Sequence, residues 1–204
     1  PGVSQGVRED QELGGDSRLW ERHRRLTEQA KAYGTSLEFI AEKDWPESQS
    51  RNLAYTSGGK IYVREDFTAE RMTEIVPHEN AHVMRQVGFR PYLDFLSRTA
   101  DEIDFTTDAA QKLVGAAAAH RGIDPLNLSA RDFDILYDEV NALVSGAIAS
   151  GKESSVAAEL NAAFRNYGTY RQELLDIHEQ FKRENGGKMN ERLDADSLEQ
   201  SEPG

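Results

Sequence analysis

The spacing of hydrophobic residues predicts strands only in the first third of the chain and helices nearly everywhere else. Residues 16 to 33 carry an apolar stripe at helical spacing behind Asp16, a residue type that commonly caps a helix N-terminus. Residues 36 to 42 have the pattern of a strand. Residues 51 to 66 alternate between apolar and polar on either side of Gly58 and Gly59, which is typical of a β-hairpin.

From residue 68 onward, glycines and prolines divide a long helical pattern into separate helices. The predicted helices cover residues 68–88, 91–103, 106–122, 128–151, 154–166 and 168–184. The expected fold class is therefore α+β and helix-rich, with a small antiparallel sheet of about three strands followed by a bundle of helices. Residues 1–15 and 185–204 lack periodicity, so we expect a flexible N-terminal linker and a polar C-terminal tail around a domain of residues 16–184.

Composition narrows the classes of function. The chain of 204 residues has no cysteine, which excludes thiol catalysis, disulfide scaffolds and cysteine-rich zinc fingers. Its net charge of −12 argues against a nucleic acid or an anionic membrane as partner, and we interpret the basic run at residues 22–25 as a solvated helix face. No signal peptide or membrane-spanning run is visible, so we expect a cytoplasmic location, and a first residue other than Met suggests a piece of a longer polypeptide.

The segment "VPHENAHVMRQVG" at residues 76–88 contains the pattern His-Glu-x-x-His. Residues four apart share one face of a helix, so His78 and His82 can occupy two adjacent corners of a zinc tetrahedron. Glu79 lies about 100° around the same helix and can reach a water on the metal, whose pKa zinc lowers to about 7. We therefore predict one Zn²⁺ per chain, with Glu79 as the catalytic base.

Two alternatives stay open for this segment. The histidines and Glu79 can be surface residues that share the spacing by chance. Pro77 is unusual within a helix, because it removes a backbone hydrogen bond. A short lead-in helix that ends near Val76, followed by a helix that starts at Pro77, would accommodate it.

A catalytic zinc site needs a third protein ligand, and a carboxylate from a later helix is the best candidate. Within "RDFDILYDEVNALVSG", Glu139 has apolar neighbours at three and four residues in both directions, an unfavourable place for a carboxylate without a cation. It can instead reach out to water or pair with an arginine. Asp138 and Glu102 are the alternative ligands, although the same helical pattern places Asp138, Asn141 and Ser145 together with Asp134 on a solvated face.

His-Glu-x-x-His on one helix with a Glu from a later helix resembles the gluzincin class of zincin metallopeptidases. The segment "DEVNALVSG" resembles the one that carries the third ligand in the ImmA/IrrE-like metallopeptidases, which are often found on mobile elements, and the match falls on Glu139 and Asn141. "GGKIYVRED" is similar to the edge strand along which such enzymes lay their substrate, and so implies peptide binding at Ile61, Tyr62 and Val63.

Zincins commonly use a His or Tyr to stabilise the transition state, and His120, Tyr137 and Arg85 are the candidates in this chain. For each of them a packing or surface role is the alternative. The expected function is a zinc-dependent endopeptidase acting on a peptide or protein. The alternatives are a catalytically silent module of the same fold within a larger multidomain protein, and a helical scaffold without metal.

Overall fold

Three short strands and seven α-helices make up the described part of the protein, which comprises the backbone of residues 6–199 and the side chains of residues 17–186 of a computed structural model. The predicted class, α+β and helix-rich, is confirmed. The strands are β1 (Leu37–Ile40), β2 (Ala54–Ser57) and β3 (Lys60–Arg64). The two-residue loop between β2 and β3 consists of Gly58 and Gly59, with φ of 58° and 78°, as expected for a tight hairpin turn.

The sheet is mixed, whereas a wholly antiparallel sheet was expected. Its strand order is β1-β3-β2, with β1 parallel and β2 antiparallel to β3. Residues 41–53, which include two short 3₁₀ turns, connect β1 to β2 and leave space between these strands for β3. Strand β3 is consequently bonded on both sides, and the prediction that Ile61, Tyr62 and Val63 form a substrate-binding edge is wrong. The edge strand of the hairpin is β2.

The helices follow the predicted order, with shifts at their ends. They are α1 (Gly6–Ala32), α2 (Met72–Gln86), α3 (Arg90–Glu102), α4 (Asp108–Arg121), α5 (Ala130–Ser150), α6 (Ala157–Ala163) and α7 (Tyr167–Glu199). Ser129 and Asp132 form a capping box at the start of α5. Gly122 and Gly151 end α4 and α5 with φ of 64° and 76°, a region of backbone conformation that favours glycine. None of the described helices has the length and apolar content needed to cross a membrane.

Both outer helices extend beyond the predicted domain limits of residues 16 and 184. Helix α1 begins at Gly6, so Asp16 is not its cap, and α7 continues to Glu199. These extensions have no apolar stripe, so the periodicity of the sequence does not reveal them as helix. The side chain of Asn185 donates hydrogen bonds to the carbonyls of Tyr33 and Gly34, at 2.7 and 3.0 Å, so the packed domain includes residue 185. Residues 1–5 and 200–204 of the predicted linker and tail lie outside the described part.

Helix α2 packs between the hairpin and α5, and this arrangement positions the motif. Apolar side chains such as Val76, Met84 and Val140 are fully buried along it. Gly146 of α5 lets the two helices approach closely, since a Cβ there would lie 3.4 Å from the Cβ of Glu74. Two elements from distant parts of the sequence are thereby held face to face.

Candidate metal centre

The two histidines of the motif project from one unbroken helix. Helix α2 runs from Met72 through Pro77, so no separate helix starts at the proline. Pro77 lies in the second turn, where its missing N–H affects only the bond to Thr73, early in the helix. The His78 and His82 rings lie 5.1 Å apart between centroids and are nearly perpendicular, at 79°. Their nitrogens can thus approach one point from two directions.

Glu139 of α5 completes a three-residue cluster with these histidines. One ligand atom from each of His78, His82 and Glu139 lies within 4.8 Å of the others, a separation that suits a shared metal ion. Glu139 Oε1 lies 3.5 Å from His78 Nε2, and Oε2 lies 3.3 Å from His82 Nε2. Asp138 and Glu102, the alternative ligands, are not members of this cluster within the described residues.

The carboxylate of Glu139 has the surroundings of a metal ligand. It is fully buried, and neither of its oxygens accepts a well-aligned hydrogen bond. Buried carboxylates are normally hydrogen-bonded or paired, because removing the charge from water is costly. Burial alone would raise the pKa of Glu139, but the approach of His82 outweighs it and lowers that pKa to about 2. The group is thus ionised, and a cation between it and the histidines would complete its coordination.

Asp138 orients the second histidine. It accepts hydrogen bonds from His82 Nδ1 at 2.7 Å, from Arg85 Nε at 2.8 Å and from the Tyr92 hydroxyl at 2.7 Å. With Nδ1 carrying the proton, His82 Nε2 faces Glu139. The helical pattern puts Asp138 on a solvated face, and that prediction is wrong because Asp138 is fully buried. It has the role expected of a carboxylate that supports a metal-bound histidine.

The two histidines differ in their readiness to bind a proton. Burial lowers the pKa of His78 to about 3, with the neighbouring His82 contributing in the same direction. Burial would also lower the pKa of His82, but the negative charge of Asp138 prevails and raises it to about 10. A metal ion that bound here would have to displace a proton from His82 Nε2, whereas the ring of His78 is already neutral.

Glu79 lies beside the cluster but outside it. Its side chain is largely buried, and its Oε2 has no hydrogen-bond partner among the described residues. Burial raises the pKa of Glu79 to about 7. A carboxyl group with that pKa can both take and release a proton near neutral pH.

A cleft opens in front of the cluster and runs along β2. It consists of a larger cavity of about 470 Å³ and a smaller cavity of about 120 Å³. The residues common to both cavities are Asn52, Ala54, His78, Glu79 and His120. His78 of the cluster therefore lies where the two cavities meet, with room for a ligand on either side.

The three candidates for transition-state stabilisation lie at different positions relative to the cleft. His120 lines both cavities, and its Nε2 lies 3.7 Å from Glu139 Oε1. Tyr137 is buried against Phe133, with ring centroids 4.6 Å apart, and lines neither cavity. Arg85 lines the smaller cavity but is engaged with Asp138. Sequence reasoning missed Arg121, which lines the same cavity with a guanidinium nitrogen 3.8 Å from Glu139 Oε2.

Comparison of the chain with protein-family models, with curated proteins and with solved structures gives no match. Three residues placed to hold a metal ion are thus established by the geometry alone.

Proposed function

We propose that the protein is a zinc-dependent endopeptidase. The observation that carries the proposal is the buried carboxylate of Glu139, which accepts no hydrogen bond from the described residues and faces the nitrogens of His78 and His82. Two imidazoles and one carboxylate form a donor set that suits zinc, and three protein ligands leave a fourth position open, as catalytic sites require. Zinc at such a site lowers the pKa of a coordinated water to about 7 and polarises a carbonyl group.

Glu79 is the proposed proton carrier. Its unpartnered Oε2 accepts the proton of the attacking water and then delivers it to the nitrogen of the leaving amine. His120 projects into the middle of the cleft, where its ring can donate a hydrogen bond to the carbonyl oxygen as negative charge develops there. Asp138 keeps one proton of His82 on Nδ1, so that Nε2 is the nitrogen that coordinates once its own proton is displaced.

Strand β2 is the proposed substrate-binding edge, in place of β3. Arg64 donates to the Leu53 carbonyl, and alternate residues of an antiparallel pair turn their backbone groups away from the partner strand. In the register of β2 and β3, Ala54 is such a residue, and it lines both cavities. An extended peptide can pair with Ala54 through main-chain hydrogen bonds and cross the metal cluster.

The test is hydrolysis of a peptide library by zinc-loaded protein, with Glu79→Gln as the matched variant. Gln has nearly the same shape as Glu but cannot accept the proton. We expect the variant to retain its zinc and to lose cleavage by at least about a hundredfold. The proposal is refuted if the zinc-loaded wild type shows no cleavage beyond that of the variant. The protein would then be a silent module that binds metal.

A further inference from the structure

The cleft reverses the charge balance of the protein. The chain has 36 acidic and 24 basic side chains, excluding histidine. The basic side chains that line the two cavities are Arg51, Arg71, Arg85, Arg121 and Lys152. The acidic side chains that line them are Glu74 and Glu79. A concentration of cations around a cleft in an otherwise acidic protein points to a ligand that carries negative charge.

The positive charge of the smaller cavity is already balanced. Arg85 donates to the buried carboxylate of Asp138, and Arg121 lies 3.8 Å from that of Glu139. Both arginines therefore face an acidic group of the protein itself. The smaller cavity therefore has no unbalanced positive charge for a ligand.

The larger cavity has an excess of positive charge. Arg71 and Lys152 both pair with the single carboxylate of Glu74, and the distance from Lys152 Nζ to Glu74 Oε2 is 2.7 Å. Arg51 has no acidic partner within residues 17–186. Two cations thus share the carboxylate of Glu74, and Arg51 adds a third positive charge to a cavity whose other acidic lining residue is Glu79. A bound carboxylate would be attracted by Arg51 and by the surplus charge on Arg71 and Lys152.

The walls of the larger cavity suit the stem of an acidic side chain. Leu53, Ile75, Leu143 and Ala147 line it with apolar surface beside the charged residues. Methylene groups can pack on that surface while the carboxylate reaches the cations, as the stems of long charged side chains do elsewhere.

We infer that the larger cavity selects substrates with an acidic side chain beside the cleaved bond, and that Arg51 is the main determinant of this selection. This inference rests on the proposed peptidase function, because only a peptidase has a cleaved bond beside which the acidic side chain can lie. The charge selection itself concerns binding, so it can be measured without turnover.

The binding experiment uses zinc-loaded Glu79→Gln protein and fluorescent peptides of one length that differ at one position, which is Glu, Gln or Lys. At 0.1 M salt we expect the best Glu peptide to bind about fivefold more tightly than its Gln counterpart, and the Lys peptide to bind most weakly. Raising the salt to 0.5 M should reduce the difference, because screening shortens the reach of exposed charges. Equal affinities for the three peptides would overturn the inference.

Substitutions in the larger cavity test whether it causes the preference for Glu over Gln. Arg51→Glu should abolish or invert the preference for Glu over Gln. Glu74→Gln should increase the preference, because it frees Arg71 and Lys152, and such a gain cannot result from misfolding. Lys43→Glu is the matched control, since Lys43 lines neither cavity, and it should leave the preference unchanged. A preference that is insensitive to both cleft substitutions would overturn the assignment.

Cleavage by the wild type separates this inference from the proposed function. Charge-selective binding without any cleavage would refute the peptidase and support the selection. Cleavage that depends on Glu79 but occurs equally next to Glu, Gln and Lys would refute the selection and support the peptidase.

Discussion

His82 donates a hydrogen bond from Nδ1 to Asp138, and Asp138 immediately precedes the carboxylate that faces the other nitrogen of the same ring. Successive residues of a helix diverge by about 100°, so Asp138 and Glu139 reach opposite edges of one imidazole. Helix α5 therefore supplies both one residue of the cluster and the group that orients another. The geometry of the centre depends on how α5 sits against α2.

Asp138→Asn should weaken zinc binding by roughly 10- to 100-fold, which is the usual cost of losing a group that orients a metal ligand. The amide can present an NH₂ group to His82 and so favour the wrong tautomer, and it leaves Arg85 without its counter-charge. The measurement is competition with a chelator of known affinity. Asp134→Asn is the control, because Asp134 lies one turn earlier on α5 and is exposed. Equal zinc affinities of the Asp138 variant and the control would contradict the orienting role.

Zinc should bind at about one ion per chain, and His78→Ala or Glu139→Gln should prevent its retention. Each substitution removes one of three protein ligands, and two ligands hold a metal weakly. His120→Ala should keep its zinc, since His120 is outside the three-residue cluster. Metal content after dialysis gives the answer. Wild-type metal content in His78→Ala would show that the ion binds elsewhere.

The sequence alone singles out the three residues of the cluster, because each is marked by local helical geometry. His78 and His82 lie on one face at any tertiary arrangement, and Glu139 stands out by its apolar neighbours. The spacing in the sequence does not tell which face of a long helix meets solvent. The face with Asp138, Asn141 and Ser145 is polar and was predicted to be wet, yet all three are buried.

That polar face is satisfied by partners that only the tertiary structure brings close. Asn141 accepts a hydrogen bond from the Tyr170 hydroxyl at 2.7 Å and donates to Thr99 at 3.0 Å. The order of the strands could not be predicted from the sequence either. The segment between β1 and β2 can place β2 on either side of β3, and helical or strand periodicity does not decide between them.

Ala54→Pro should impair peptide cleavage while zinc binding is unchanged. Proline removes the backbone N–H that faces the cleft, and an edge strand tolerates proline at a position that does not bond to its neighbour. Ala54→Val is the control, because it enlarges the side chain but keeps the N–H. A loss of kcat/KM in the proline variant that the valine variant shares equally would attribute the effect to the side chain and not to strand pairing.

His178 of α7 is buried between α5 and the residue that follows α1. Its Nδ1 and Nε2 lie 2.9 Å from the Tyr33 hydroxyl and the Ser145 hydroxyl, respectively. Ser145 donates to the Asn141 carbonyl, so its oxygen accepts from His178 Nε2–H, and Tyr33 donates to Nδ1. The imidazole is neutral in this arrangement, and a proton on Nδ1 would require the Tyr33 hydroxyl to turn from donor to acceptor.

Burial lowers the pKa of His178 from 6.5 to about 3, and the positive charge of Lys182 acts in the same direction. The unfolded chain therefore binds a proton at His178 more readily than the folded protein does. Its contribution makes the folded state progressively less stable as the pH falls from about 6.5 toward 3. At pH 4 this penalty reaches roughly 3 kcal/mol, at about 1.4 kcal/mol per pH unit.

His178→Gln should flatten this part of the pH dependence. The variant loses packing and hydrogen bonds at every pH, so its free energy of unfolding at pH 7 should be lower than that of the wild type. Between pH 7 and pH 4, however, it should lose less stability than the wild type, by an amount approaching roughly 3 kcal/mol, because Gln does not titrate. Urea unfolding at both pH values, after removal of metal with a chelator, measures the difference. Parallel losses of stability in the two proteins would show that His178 accepts its proton without disturbing the contacts to Tyr33 and Ser145.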